Sequence, residues 1–120
     1  MKQTRTTNPE LIELIRFLRK QGRENKASIW RDTAERLARP SRQRVAVNLS
    51  RLNRYTQKKE ILVVSGKVLG SGELSHPITV AAFNFSERAK EKIIAAKGRQ
   101  MSFQDLIKKN PKGANVRIIG

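Results

Sequence analysis

From Asn8 to about Tyr55 apolar residues recur every three or four positions, and after Glu60 they gather in short β-branched runs. The first pattern predicts helices and the second predicts strands. Asn8-Pro9-Glu10 reads as a helix start. Asparagine caps, proline suits the first turn, and the acid faces the positive end of the dipole. Leu11, Leu14, Ile15 and Leu18 then share one stripe, and Gly22 offers a stop. Ser28 is placed to cap a second helix with Trp30, Ala34 and Leu37 inside, which Pro40 ends. A third helix is expected from Ser41 to Tyr55. Val45, Leu49 and Leu52 form its dry stripe, and Arg44, Asn48, Arg51 and Tyr55 form a second stripe roughly 100° away.

In the second half, Ile61-Leu62-Val63-Val64 has the look of a strand buried on both faces. Gly66-Lys67-Val68-Leu69-Gly70-Ser71-Gly72 reads as a glycine-rich loop. Ile78 to Phe85 is a second strand, with Phe83 and Phe85 expected on one inward face. Ser86 should cap a helix carrying Ala89, Ile93 and Ala96 inside. Gly98 to Met101 is a short strand. Ser102-Phe103-Gln104-Asp105 resembles a capping box opening a small helix with Phe103, Leu106 and Ile107. After a turn at Asn110-Pro111-Lys112-Gly113, Val116 to Ile119 closes the chain as a strand. The expected class is α/β, in the order ααα-ββαβαβ: a three-helix segment packed on a small sheet of short strands with interleaved helices. Residues 8–120 form one expected domain, with a helical part 8–58 and an α/β part 60–120, behind a basic arm 1–7.

Charge changes the picture from fold to function. The chain of 120 residues carries a formal +16. Between Glu35 and Glu60 there is no acid but eight bases: Arg36, Arg39, Arg42, Arg44, Arg51, Arg54, Lys58 and Lys59. Like charges at this density destabilise a compact state unless a polyanion absorbs them. Arginine, which pairs bidentately with phosphate and stacks on bases, supplies six of the eight. Both halves of the chain are basic, so the charge is not confined to one tail. The 38% hydrophobic content is low but periodic, unlike a disordered chain. With no cysteine there are no disulfides and no thiolate chemistry. Neither a secretory signal nor a membrane-length apolar run is visible, which points to the cytoplasm.

Candidate chemistry is thin. The glycine-rich loop fits neither a P-loop nor a dinucleotide fingerprint. It is either a connection using glycine at positive φ, or a stretch of backbone lying against phosphate with Lys67 assisting. His76, the only histidine, sits before Pro77 with no nucleophile in a recognisable spacing. The carboxylates, including Glu87 and Glu91, read as solvated helix partners, and no set has metal-ligand spacing. Trp30 reads as core. Tyr55 is the aromatic placed to stack on a base. No enzyme, no cofactor and no small-molecule substrate are expected.

Five blocks then carry a resemblance: NPELIELIRFLRK, VNLSRLNRY, ILVVSGKVLGSGEL, ITVAAFNFSERAKEKI and the ending NPKGANVRIIG. Together, from Asn8 to Gly120, they resemble the archaeal branch of the large-subunit ribosomal protein family eighteen-e, which is related in fold to ribosomal protein fifteen. The resemblance implies a structural constituent of the large ribosomal subunit that binds ribosomal RNA beside neighbouring ribosomal proteins. On the matching blocks, Arg51, Arg54, Lys67, Lys112 and Arg117 are the implied RNA contacts. Lys2, Arg5, Arg39, Arg42, Arg44, Tyr55, Lys58 and Lys59 join them on charge and position. The alternative is a DNA-binding or chromatin-associated protein that uses the third helix as a reader.

Overall fold

The computed structural model describes residues 8–39 and 45–119. Lys2, Arg5, Arg42 and Arg44 lie outside them. Helix α1 spans Pro9–Glu24, with the Asn8 side chain accepting from the backbone N–H of Glu10 at 3.0 Å and of Leu11 at 3.4 Å. The expected stop at Gly22 is not used. The helix continues to Glu24, and Gly22 is instead buried where α2 crosses, with Arg31 filling the space a side chain would need. Lys26 makes the turn, at φ +53°. Helix α2 spans Ser28–Leu37. Ser28 is its first residue rather than its cap, because the tight return from α1 puts Ala27 in the capping position, with no side-chain bond.

The largest departure from expectation follows. Residues 45–48 are not helical: β1 is Val45–Asn48, and helix α3 begins only at Leu49 and ends at Tyr55. The order is therefore ααβα-ββαβαβ. Val45-Ala46-Val47 is good strand sequence, and an open length of sheet edge accepts it. β2 spans Ile61–Leu69 and pairs on one side with β3 (Thr79–Phe85). On its other side, Ile61–Val64 pairs with β5 (Val116–Ile119), and beyond the end of β5, Gly66–Leu69 pairs with β1. A short β4 (Arg99–Met101) extends the sheet from β3. Every pairing among the described strands is parallel. Gly66 to Leu69 thus belong to a strand, with a register irregularity after Val64. The loop starts only at Gly70.

Helices cover both faces. Val63 and Ala81 join α1, α2 and α5 (Phe103–Lys109) in one core around Trp30 and Phe103. Leu62, Val64, Val80 and Ala82 join α3 and α4 (Glu87–Ala95) in the other. The alternation along β2 is complete, since Leu62, Val63 and Val64 are all fully buried. Phe83 and Phe85 part company: Phe83 packs against the first core and Phe85 against the second, where the chain turns into the Ser86 cap of α4. Ser86 and Ser102 cap as expected, each accepting a backbone N–H at 3.1 Å.

Candidate nucleic-acid interface

The acid-free stretch emerges from α2 and returns through α3 to the start of β2. On α3, Leu49 and Leu52 are buried, while Arg51, Arg54 and Tyr55 face outward. Only this two-turn part of the expected basic stripe is helical; Asn48 belongs to β1 and is half-buried. Tyr55 is 53% exposed, unusual for an aromatic ring and consistent with a stacking surface. Lys58 and Lys59 follow, both exposed.

Because the sheet is parallel, β2, β3, β4 and β5 begin at one edge, while β1 joins further along β2. Ile61 stands beside Thr79 and Val116, and Thr79 stands beside Arg99. Backbone bonds lock the approach to that edge: Lys59 N–H to Pro77 O at 2.8 Å, and Arg99 N–H to Ile78 O at 2.8 Å. Lys58, Lys59, Lys97 and Arg99 therefore crown the amino-terminal edge of the sheet, with Arg54 and Tyr55 beside them at the end of α3. Lys59 and Lys97 sit there in the left-handed region, at φ +64° and +63°. That conformation costs a residue with a side chain roughly 1 kcal/mol. Lys97 and Arg99 were not legible as site residues. Their only sequence signal is position before a short strand, and the strand pairing supplies the rest.

Arg117 has internal partners. Its guanidinium donates to Glu60 Oε2 at 2.8 Å and to the Tyr55 carbonyl at 2.9 Å. It ties β5 to the end of α3 and the start of β2. The hydrogen bond from Arg117 holds the Glu60 carboxyl below its ordinary value, against the opposing cost of burial. The Gln57 N–H and the nearby His76 add to the lowering. Arg36 is partly offset by Asp32, 3.5 Å away one helical turn back. Arg39, Lys67 and Lys112 are exposed but lie away from this edge: after α2, in the later half of β2, and in the turn before β5.

The glycine-rich segment is a connection. Residues 70–78 return from the end of β2 to the start of the parallel β3, packed beside α3 and α4. Lys92 Nζ donates to the carbonyls of Gly70 at 2.8 Å and Gly72 at 2.6 Å, and Ser50 N–H donates to Ser71 O at 3.1 Å. Gly72 takes φ +84°, and a Cβ on Gly70 would stand 2.6 Å from that of Arg88. Glycine is needed for the turn and for close approach to α4. His76 is spent nearby. The Thr56 hydroxyl donates to Leu52 O, so its one hydrogen is used, and His76 Nε2 at 2.7 Å must be the donor to Thr56 Oγ1. No group of acids and histidines capable of holding a metal occurs among the described residues. No helix among them is long and apolar enough to cross a membrane.

Fold and surface together define a class: a small, strongly basic α/β protein with cations on α3 and along one sheet edge. Over residues 1–120 the chain matches the family described as ribosomal protein 60S L18 and 50S L18e, and it belongs to that family. It is 53% identical to the large ribosomal subunit protein eL18 of Methanoregula boonei over 113 residues, covering 94% of this chain and 93% of the relative. The eL18 of Methanococcus maripaludis is 45% identical over 119 residues, 99% of each chain. That of Methanothermobacter thermautotrophicus is 47% identical over 113 residues, 94% and 93%. The chain is thus a large-subunit ribosomal protein of a structural, non-enzymatic family with archaeal relatives. The reader helix on which a DNA-binding alternative would depend is only seven residues long.

Proposed function

We propose that this protein binds ribosomal RNA through the outer face of α3 and the amino-terminal edge of the sheet, and so stabilises the folded RNA of the large subunit. The observation that carries the reading is the acid-free stretch: Arg51, Arg54, Lys58 and Lys59 are all exposed, with Tyr55 among them. Cations fixed in register on a packed body can neutralise phosphates where RNA helices approach each other. Lys97 and Arg99 extend the row, and Arg39, Lys67 and Lys112 serve as outlying contacts. Arg117 contributes by orienting the Tyr55 end of α3, with its remaining N–H groups free for phosphate. Lys2, Arg5, Arg42 and Arg44 belong to the proposal through charge alone. Residues 8–120 act as one body behind the arm 1–7. Double-stranded RNA offers shape and 2′-hydroxyls rather than readable base edges, so little sequence readout is expected.

The test is binding of large-subunit RNA over a range of salt, comparing the native chain with R51Q/R54Q/K58Q/K59Q. Loss of four phosphate contacts should flatten the slope of log K against log salt by roughly 3. The melting temperature should hold or rise. An unchanged slope would remove this face from the interface.

A further inference from the structure

Glu10, Glu13, Glu73, Glu91 and Asp105 have no ion-pair partner among the described residues, and of these only Glu10 and Glu13 stand together beside an apolar hollow. Both are exposed, one turn apart at the start of α1. By contrast Glu24, Asp32, Glu35, Glu60 and Glu87 are each paired with a lysine or arginine. Glu10 and Glu13 share a cavity of about 470 Å³ with Phe17, Phe83 and Phe103, and no lysine or arginine lines it. A second hollow of about 380 Å³, which Ile107 and Lys108 also line, has Phe17 and Gln104 in common with the first and continues along α1 to Asn25, so the acidic part of the groove is the end at Glu10 and Glu13. The joined groove follows α1 from Glu10 to Asn25, ~22 Å at the helical rise. That length takes roughly six or seven residues of extended chain.

The charge selects the occupant. RNA would bring phosphates against two carboxylates that have no ion pair among the described residues, a like-charge contact. A lysine or arginine satisfies them, and the faces of Phe17 and Phe83 favour a cation or an apolar side chain beside it. We propose that this groove docks an extended, cationic segment of a neighbouring protein of the large subunit. One basic side chain lies over Glu10 and Glu13, and an apolar side chain lies against the phenylalanines. The proposal depends on the chain's place in the large subunit and not on the basic edge being the RNA contact.

The experiment replaces Gln104, which lines both hollows, with a photoreactive residue (Gln104→benzoylphenylalanine) in cells. Intact large subunits are then isolated and irradiated, and the joined peptide is sequenced. The expected product joins the groove to a lysine- and arginine-rich segment of another large-subunit protein. Adding E10Q and E13Q should lower its yield by roughly threefold to tenfold, the range for two exposed charge pairs. E91Q, which removes an exposed carboxylate on α4 outside the groove, should leave the yield unchanged, and counting only protein already assembled into large subunits keeps a failure of the RNA interface separate from a failure here. Joining to RNA, joining to residues 1–7 of the same chain, no joining at all, or a yield indifferent to E10Q and E13Q would each overturn the proposal.

Discussion

Glu60 shows how one side chain sets the geometry around the basic edge. Arg117 would otherwise be one more surface cation. Paired with Glu60 it becomes a strut to the Tyr55 carbonyl at the end of α3. The sign of its pH dependence follows from the lowered carboxyl. A group whose folded pKa lies below its unfolded value stabilises the fold above the ordinary carboxylate range, and that contribution is lost as pH falls through the folded value. Glu60→Gln should therefore lower stability near pH 7 by under about 1 kcal/mol, as for other partly exposed ion pairs. The difference should shrink at an acid pH below the ordinary carboxylate range, as the native carboxyl takes up its proton. Paired thermal melts of the two proteins at both pH values decide the matter. A gap that persists in acid would mean the substitution acts through packing and not through the charge.

At the scale of elements, Trp30 ties α2 to the turn before β5. It is fully buried in α2, and its indole N–H donates to the Pro111 carbonyl at 2.7 Å, fixing the turn that launches β5. Trp30→Phe keeps most of the apolar volume but removes the donor, and should cost roughly 1–3 kcal/mol in denaturant titrations. A cost within a few tenths of a kcal/mol would show that water replaces the bond without loss. Most elements were legible. Asn8-Pro9, Ser86 and Ser102 start helices because a short side-chain acceptor beside free N–H groups is a local signal. Ile61 to Val64 announced a strand buried on both faces for the same kind of reason. The stretch 45–48 was misread because Leu49 and Leu52 satisfy a helical spacing with or without Val45. What makes Val45–Asn48 a strand is the vacancy beside Gly66–Leu69 that β5 leaves, which no local pattern encodes. Lys67 was assigned to a loop for a related reason: glycines within a strand look like turn residues until a neighbour is seen to pair with them.

For the whole molecule, charge dominates. A formal +16 over 120 residues implies self-repulsion that counterions relieve. The free protein should therefore melt higher as monovalent salt rises from about 0.05 to about 0.5 M, as the screening length shortens. Scanning calorimetry across that range would show it; a melting temperature that falls with salt would mean that attractive pairs such as Arg19–Glu35, at 2.9 Å, outweigh repulsion. The surplus, its concentration between Glu35 and Glu60, the α/β class and the periodic cores were all properties of the chain read in order. They depend on near neighbours and on sums, which one dimension contains. Tertiary structure alone decided which cations stand together. Parallel pairing brings Lys97 and Arg99 to the edge occupied by Lys58 and Lys59 and pairs Arg117 with Glu60, and the packing of α1 sets Glu10 and Glu13, without an ion pair among the described residues, beside three phenylalanines. Those juxtapositions join residues as far apart in the chain as Glu10 and Phe103, and they exist only because two apolar faces of one sheet had to be covered at the same time.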